Sequence, residues 1–456
     1  MQNFMFRKVE VWLVLLIVLA GLVGTILFGA AVKDRTSESG YFGRFGKVAV
    51  ALAEVPDTIV KLIKAQNQRI AERGKRFTLP GGWTFGDPKS GGQPGGWQAM
   101  DGYLLLSRYL GDEQRTVVEL VDLGDMSIRH SWKPDADSLF KDVPRQSHIN
   151  TFDTWNTRLF MATHPYLMEN GDLLIKDHQT ALFRINACSG PVWTEGSHLY
   201  HHSTSLGPDG TFWLPTLIEP AKPENGPKFF EDGLTEVTAE GKVLRELSLP
   251  EIFIRNGHMP LLFTSGAYED DALHLNDIEP AMTDGPYWKR GDLFLSMRHK
   301  SMIAIYRPAT DKIIWMKQGP WLAQHDVDIL DDHRIAVFSN NAYDRGLGWY
   351  VAGHNEVMVY DFATDTVTSP YRDALAADDV KTLTEGLFEL TPSGHLIVEE
   401  QNSGRLLIYG PDKSLLAQFV NRAGDGKVYE LGWSRFVPRA AGDAALAAIQ
   451  GGHGCG

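Results

Sequence analysis

Cysteine is nearly absent: Cys188 and Cys455 are the only two in 456 residues. A disulfide framework is excluded, because at most one bridge can form. The glycine-rich tail from Gly451 to Gly456 carries His453 and Cys455, and without a second ligand pair it falls short of a zinc signature. It reads as a mobile segment bearing a thiol. Basic blocks are missing too: 44 Lys and Arg are scattered among 57 Asp and Glu, for a net charge of −13. That argues against a phosphate-tracking nucleic-acid surface. Beyond Gly81-Gly82 and the Gly91–Gly96 linker no long helical periodicity survives, so the bulk of the chain must be built from short strands and turns. With 43% hydrophobic and 22% charged residues, that bulk is ordinary folded protein.

One stretch does lack charge for long enough to matter. Val11 to Val32 is an uninterrupted run of 22 uncharged residues, including Trp12, Leu15, Ile17, Leu22 and Phe28. A single helix of about 20 apolar residues crosses a bilayer, and a signal peptide usually has a shorter apolar region of about 7–15. The run is expected to be an uncleaved anchor, within a segment 1–40. Lys33, Arg35, Arg44 and Lys47 outnumber Arg7 and Lys8, so the positive-inside count alone would keep the large domain cytoplasmic. From Tyr41 to about Arg73, Val48, Leu52, Val55, Ile59, Leu62 and Ile63 recur at helical spacing, broken at Pro56. This segment, 41–80, is a juxtamembrane helical spacer, or alternatively a helix lying at the interface or touching a membrane-protein partner.

Over 81–440 the turns Glu169-Asn170-Gly171-Asp172, Pro208-Asp209-Gly210, Asp331-Asp332 and Pro392-Ser393-Gly394 each join two apolar runs. Aligned on those turns, a polar residue precedes each module: His164, His202, His274, His325 and Glu385, separated by 38, 72, 51 and 60 residues. Modules of four strands at such spacings predict a β-propeller. With Tyr103–Leu123 as an earlier module and Lys427–Val437 as a closing strand, the count is six blades; 441–456 is left as a flexible tail.

Residues in equivalent register near the start of inner strands converge on a propeller's axis. His164, His202, His274 and His325 share that register. Strand alternation puts Asn276 on the face of His274 and sends His201 away from His202. Arg298 follows the strand Leu293–Met297, and its planar fork suits an oxyanion. Two imidazoles, an amide and a guanidinium between His274 and His325, with little serine or cysteine nucleophile chemistry nearby, point to an anion pocket. A metal-dependent propeller hydrolase would use the same axial positions together with Glu385, and a non-catalytic membrane-tethered subunit is a further alternative. A quinone-dependent dehydrogenase would carry a tryptophan docking repeat not found here.

The segments His274-Leu275-Asn276-Asp277, Leu295-Ser296-Met297-Arg298, Ile303-Ala304-Ile305-Tyr306, Gln324-His325-Asp326 and Val337-Phe338-Ser339-Asn340-Asn341, in that order and spacing, resemble the bacterial arylsulfotransferase family, PAPS-independent enzymes built on a six-bladed propeller. The resemblance covers roughly residues 97–440. It implies that His325 matches the nucleophilic histidine that carries the sulfuryl group, and that His202, His274, Asn276 and Arg298 match sulfate-binding residues. It implies an aryl sulfate donor, a phenolic acceptor and no cofactor or metal. It also implies a periplasmic large domain, which outweighs the charge count because large domains translocate largely regardless of flanking charge; with the anchor read from Val11 to Val32, a single-pass protein of the bacterial inner membrane is expected. The chain departs from the family in its retained anchor and in lacking a closely spaced cysteine pair.

Overall fold

The computed structural model describes residues 10–36, 41–53, 69–86, 97, 99–144, 154–226, 228–263, 268–346 and 348–452. They belong to two compact units, Met1–Gln68 and Arg69–Gly456.

In the first unit, helix Val11–Thr36 is apolar and long enough to cross a membrane, a property shared by a single-pass anchor and a signal sequence. The Asp34 carboxylate near its end accepts the backbone N–H groups of Tyr41 and Phe42, both at 3.0 Å, just ahead of helix Gly43–Ala53. A carboxylate there satisfies donors that a helix N-terminus leaves unpaired. The helix break expected at Pro56 lies outside the described residues.

The second unit is an all-β propeller. Strand Tyr103–Leu110 pairs with Arg115–Asp122, which pairs with Ser127–Trp132, while the C-terminal strand Arg435–Val437 adds to the free edge of Tyr103–Leu110. Next come two consecutive runs, one from Tyr166–Leu167 to Pro191–Tyr200 and one from Ser205–Leu206 to Val243–Ser248. The strands Leu275–Pro280, Leu293–Met297, Met302–Arg307 and Lys312–Gln318 form one four-stranded sheet; His325–Ile329, Arg334–Ser339, Glu356–Asp361 and Thr366–Thr368 form another. The hairpin Ala342–Asp344 with Trp349–Val351 projects from the latter.

Hydrogen bonding does not divide these strands into the six separate four-stranded blades expected. Three sheets have four strands, one has five and one has eight. The eight-stranded path arises because the ten-residue strand Pro191–Tyr200 is long enough for Leu199 and Tyr200 to reach Leu217 and Thr216 of the next run. The five-stranded sheet gains Gly82–Phe85, which pairs with Leu415–Val420. The domain boundary expected at Gly81-Gly82 therefore leads straight into an edge strand, and the linker expected at Gly91–Gly96 lies outside the described residues. Trp83 and Phe85 alternate about Thr84 and pack on one core cluster, but four residues are too short a run to signal a strand, and a distant partner decides their state.

The core lies between neighbouring sheets, and strand alternation distributes it. From Leu293–Met297, Leu293, Leu295 and Met297 pack with Leu234, Leu249 and Phe253, whereas Phe294 packs on the opposite side with Val327, Ile335 and Val337. Removing one such fully buried side chain, as in Leu295→Ala, costs about 2–5 kcal/mol. The C-terminal stretch expected as a flexible tail instead forms helix Arg439–Gly451. Gly442 permits its approach to Tyr103, whose ring would lie 2.2 Å from an added Cβ, and the Tyr103 hydroxyl donates to Asp443 at 2.5 Å. Residues 453–456 are outside the description, but Cys188, in the turn after Thr180–Ile185, is disulfide-bonded rather than free.

Candidate functional site

The inner strands share an unusual entry. His164, His202, His274, Glu385 and Trp433 precede theirs with φ of 48°, 50°, 57°, 55° and 61°. Left-handed backbone at a non-glycine residue is unfavourable by roughly 1–2 kcal/mol and persists where surrounding structure enforces it. His325 opens its own strand, and there the positive φ, 55°, falls on Asp326, within a register shift between His325 and Val327. At these positions alternation fails. His201 and His202, expected to face opposite ways, instead bring their Nδ1 atoms to 2.7 Å.

His202 is the hub. Its ring centroid lies 4.6 Å from His178, 5.3 Å from His274, 5.9 Å from Trp433 and 6.1 Å from His325. Lys176, fully buried, donates through Nζ to the carbonyls of Thr163 and His202 and props this corner from behind. His274 Nδ1 faces the Asp271 carboxylate at 2.6 Å, and its ring stacks on His299 at 4.4 Å. Asn276, buried, donates to the Gln324 carbonyl at 2.8 Å, directly before His325. Arg298, 6% exposed, is capped by the Trp349 ring, 4.7 Å from its guanidinium carbon.

His325 is fully buried and bonded on both sides. Its Nδ1 lies 2.7 Å from Asn340 Oδ1, and its Nε2 accepts the Glu385 backbone N–H at 3.1 Å. Asn340 Nδ2 donates to the Glu385 and Thr382 carbonyls, so Oδ1 is the end turned to the imidazole. A backbone N–H can only donate. Together these contacts specify the neutral tautomer with its proton on Nδ1 and its lone pair on Nε2.

Electrostatics agree. Burial, followed by the Arg298 guanidinium, holds His325 well below the ordinary imidazole range, the Asn340 bond opposing. Burial and the adjacent imidazoles do the same to His202. Burial alone would raise Asp271, but the bond from His274 and the neighbouring charge leave it low, as a carboxylate. Burial also lowers Arg298 from its usual value. Buried polar atoms with no hydrogen-bond partner among the described residues gather around this site: Arg298 Nε, Asn276 Oδ1, Trp433 Nε1 and His178 Nε2. His178 Nε2 is 3.2 Å from Glu385 Oε1, close enough for Coulomb attraction though outside hydrogen-bond geometry. A cavity of about 50 Å³ opens beside His178, His201, His202 and His274, walled by Leu217, Phe230 and Leu275 and by the carboxyls of Asp232 and Asp271. The site therefore offers one neutral nucleophile, several donors and apolar walls. Asp271, His274 and His299 also bring three ligand atoms within 4.8 Å of one another, as a metal ion would require.

Of the residues singled out from the sequence, His202 gathers His274 and His325 around its ring, with Arg298 close enough to bear on the His325 charge and Asn276 bonded to the preceding residue. His164 goes elsewhere. Its ring bonds Arg435 at 2.7 Å and accepts the Thr204 N–H at 3.1 Å, and it lines a separate cavity of about 130 Å³ with Asp277, Glu279, Asp326 and Asp328. The sequence reading missed His178, His201 as a lining residue, Asp271, His299 and Trp433. Only Trp433 had an available signal, its place in the repeat register of the closing strand; the others lie on loops that converge only in three dimensions.

Strand order thus defines a propeller in which inner-strand entries bring His202, His274 and His325 together. No curated protein matches the chain. The family model for arylsulfotransferase (ASST) matches residues 164–422, more than half of the chain, and the chain belongs to that family. Among solved structures it is similar to a protein of unknown function from Bacteroides caccae, at TM-score 0.44 and 9% identity, covering 74% of this chain and 99% of that one. It is also similar to the Pan2 WD40 domain of Neurospora crassa, at TM-score 0.38 and 10% identity, covering 78% and 97%. Virginiamycin B lyase from Staphylococcus aureus gives 0.32 and 14%, covering 56% and 69%.

Proposed function

We propose that the protein transfers a sulfuryl group from an aryl sulfate to a phenol through a sulfated His325. The observation that carries this reading is the two-sided bonding of His325, which leaves a buried, neutral imidazole with its lone pair on Nε2. In the first step Nε2 attacks sulfur, an N–S bond forms, the S–O bond to the aryl group breaks, and the aryloxide takes the Nε2 proton of imidazolium His274. Glu385 N–H, released from Nε2, is then free to bind a sulfuryl oxygen. In the second step the acceptor phenol gives its proton to His274, its oxygen attacks sulfur and the N–S bond breaks. Two half-reactions on one nucleophile make the kinetics ping-pong.

The nonbridging oxygens need fixed donors as charge redistributes, by analogy with phosphoryl transfer. Arg298, His202 and the nearby amide of Asn276 fill that role in this reading. A phenol with pKa about 10 is a leaving group that modest proton donation suffices to assist. In the same reading, residues 81–440 are the catalytic domain, 11–32 anchor it in the bacterial inner membrane with the propeller in the periplasm, and 41–73 offer a surface to a membrane partner.

The test is intact-protein mass after incubation with a chromogenic aryl sulfate. An adduct of about 80 Da, the mass of SO₃, on His325 is expected. Unaltered turnover in His325→Ala would refute the assignment.

A further inference from the structure

We infer that Trp433 is a further catalytic residue, its indole N–H binding a nonbridging oxygen of the sulfuryl group while that group is carried by His325. The inference rests on the sulfated-histidine reading and adds a donor to it.

Three independent observations lead there. Trp433 occupies the entry position of the closing strand Arg435–Val437, the place that other modules give to His202, His274 and Glu385, and it shares their left-handed backbone. Its ring stands among the site's imidazoles, 6.0 Å from His325 and 5.9 Å from His202 between centroids. Its side chain is fully buried, yet Nε1 has no hydrogen-bond partner among the described residues. An indole nitrogen can only donate, and a buried donor left unpaired is unfavourable unless something outside the resting protein completes it. Beside the Arg298 guanidinium and the His202 and His325 imidazoles, an acceptor-rich anion is the partner that completes it.

The residue is fixed rather than incidental. Its backbone N–H and that of Ser434 both donate to the buried Glu399 carboxyl, at 2.7 and 2.8 Å. The preceding Gly432 cannot carry a side chain, because a Cβ would come within 2.5 Å of Ser107 Oγ and 2.7 Å of the Ala162 carbonyl. The indole is thus held from behind on a rigid strap, as a preorganised donor should be. It forms no covalent bond and moves no proton; it supplies one N–H.

The experiment compares the natural full-length protein with Trp433→Phe and with a variant carrying benzothienylalanine at 433, an isostere in which sulfur replaces the N–H. Burst-phase release of a chromogenic phenolate and the mass of the His325 adduct are followed in each. Removing one oxyanion donor should slow the burst by about 100-fold in both variants. The KM for the aryl sulfate should change much less, and the isostere should retain the unfolding midpoint. A burst within twofold of the natural rate in the isostere, with an adduct forming in the natural protein, would overturn the role of Trp433 alone. Absence of any adduct in the natural protein would overturn the sulfated-histidine reading and this inference with it.

Discussion

Asn340→Leu is the most discriminating substitution outside the nucleophile itself. Leucine has nearly the same shape but neither accepts nor donates. His325 Nδ1 then loses its 2.7 Å partner, and the Glu385 carbonyl loses the Asn340 amide, also at 2.7 Å. Each buried group left unpaired costs about 1–3 kcal/mol, so the fold should be destabilised by roughly 2–6 kcal/mol before local relaxation. Catalysis suffers separately. One of two bonds orienting the imidazole is gone, and a loss of about 1.4–2.8 kcal/mol corresponds to about 10–100-fold in the burst rate. Protonation is not the cause. The Asn340 bond raises the His325 pKa while burial and Arg298 lower it, so leucine drives it lower still and the imidazole stays neutral. The defect should therefore be constant with pH between about 6 and 9, where an ordinary imidazole would already be neutral or becoming so. Stopped-flow phenolate release across that range is the assay. A folded variant with a burst within twofold of the natural rate, or one whose defect vanishes as pH rises, would refute the reasoning.

Other consequences are testable. Arg298→Lys keeps the charge but loses the planar fork and its stack on Trp349, and should lower kcat/KM for the aryl sulfate by about 10–100-fold, read in steady-state kinetics. Stability should have an acidic optimum. Burial raises the carboxyls of Asp277 to about 6 and of Glu389, Glu399 and Glu430 to about 7, so between about pH 4 and 7 the native state holds protons the unfolded chain has released, and stability falls as pH rises. Burial lowers His164, His202 and His325 and takes His201 to about 3, so the unfolded chain binds protons first and stability also falls as pH drops below the ordinary imidazole range of about 6.5. Burial also raises the carboxyls of Asp232, Glu279, Asp326 and Asp328 well above their ordinary range, so the raised carboxyls outnumber the lowered imidazoles, and the midpoint of thermal unfolding should decline from about pH 5 to 7 and again below about 4. Chelation should leave sulfuryl transfer unchanged; loss of activity with EDTA, restored by a divalent ion, would favour a metal at Asp271, His274 and His299 instead.

Much of the site was legible because it is repeated. His202, His274 and His325 recur at the entries of successive inner strands, and a repeat read along the chain becomes convergence once the modules close around an axis. The strand Leu293–Met297 and its follower Arg298 were equally plain, since an apolar run ending in an arginine has few alternatives. His164 shows where register stops being enough: it shares the repeat position, yet Arg435 draws its ring into the other cavity. His201 shows the limit of alternation, because a left-handed residue at 202 turns two neighbours toward each other.

By itself, the sequence determined the strands, the apolar N-terminal helix and the residue types at the axis. These depend on local periodicity and composition, which neighbours along the chain decide. Tertiary structure alone decided that Gly82–Phe85 is an edge strand, that Arg439–Gly451 is a docked helix, and that Asn340, Glu385 and Trp433 surround His325. Those outcomes rest on contacts between residues far apart in the chain, 108 positions between His325 and Trp433, and no local pattern encodes which distant partner an edge, a helix face or an imidazole will meet.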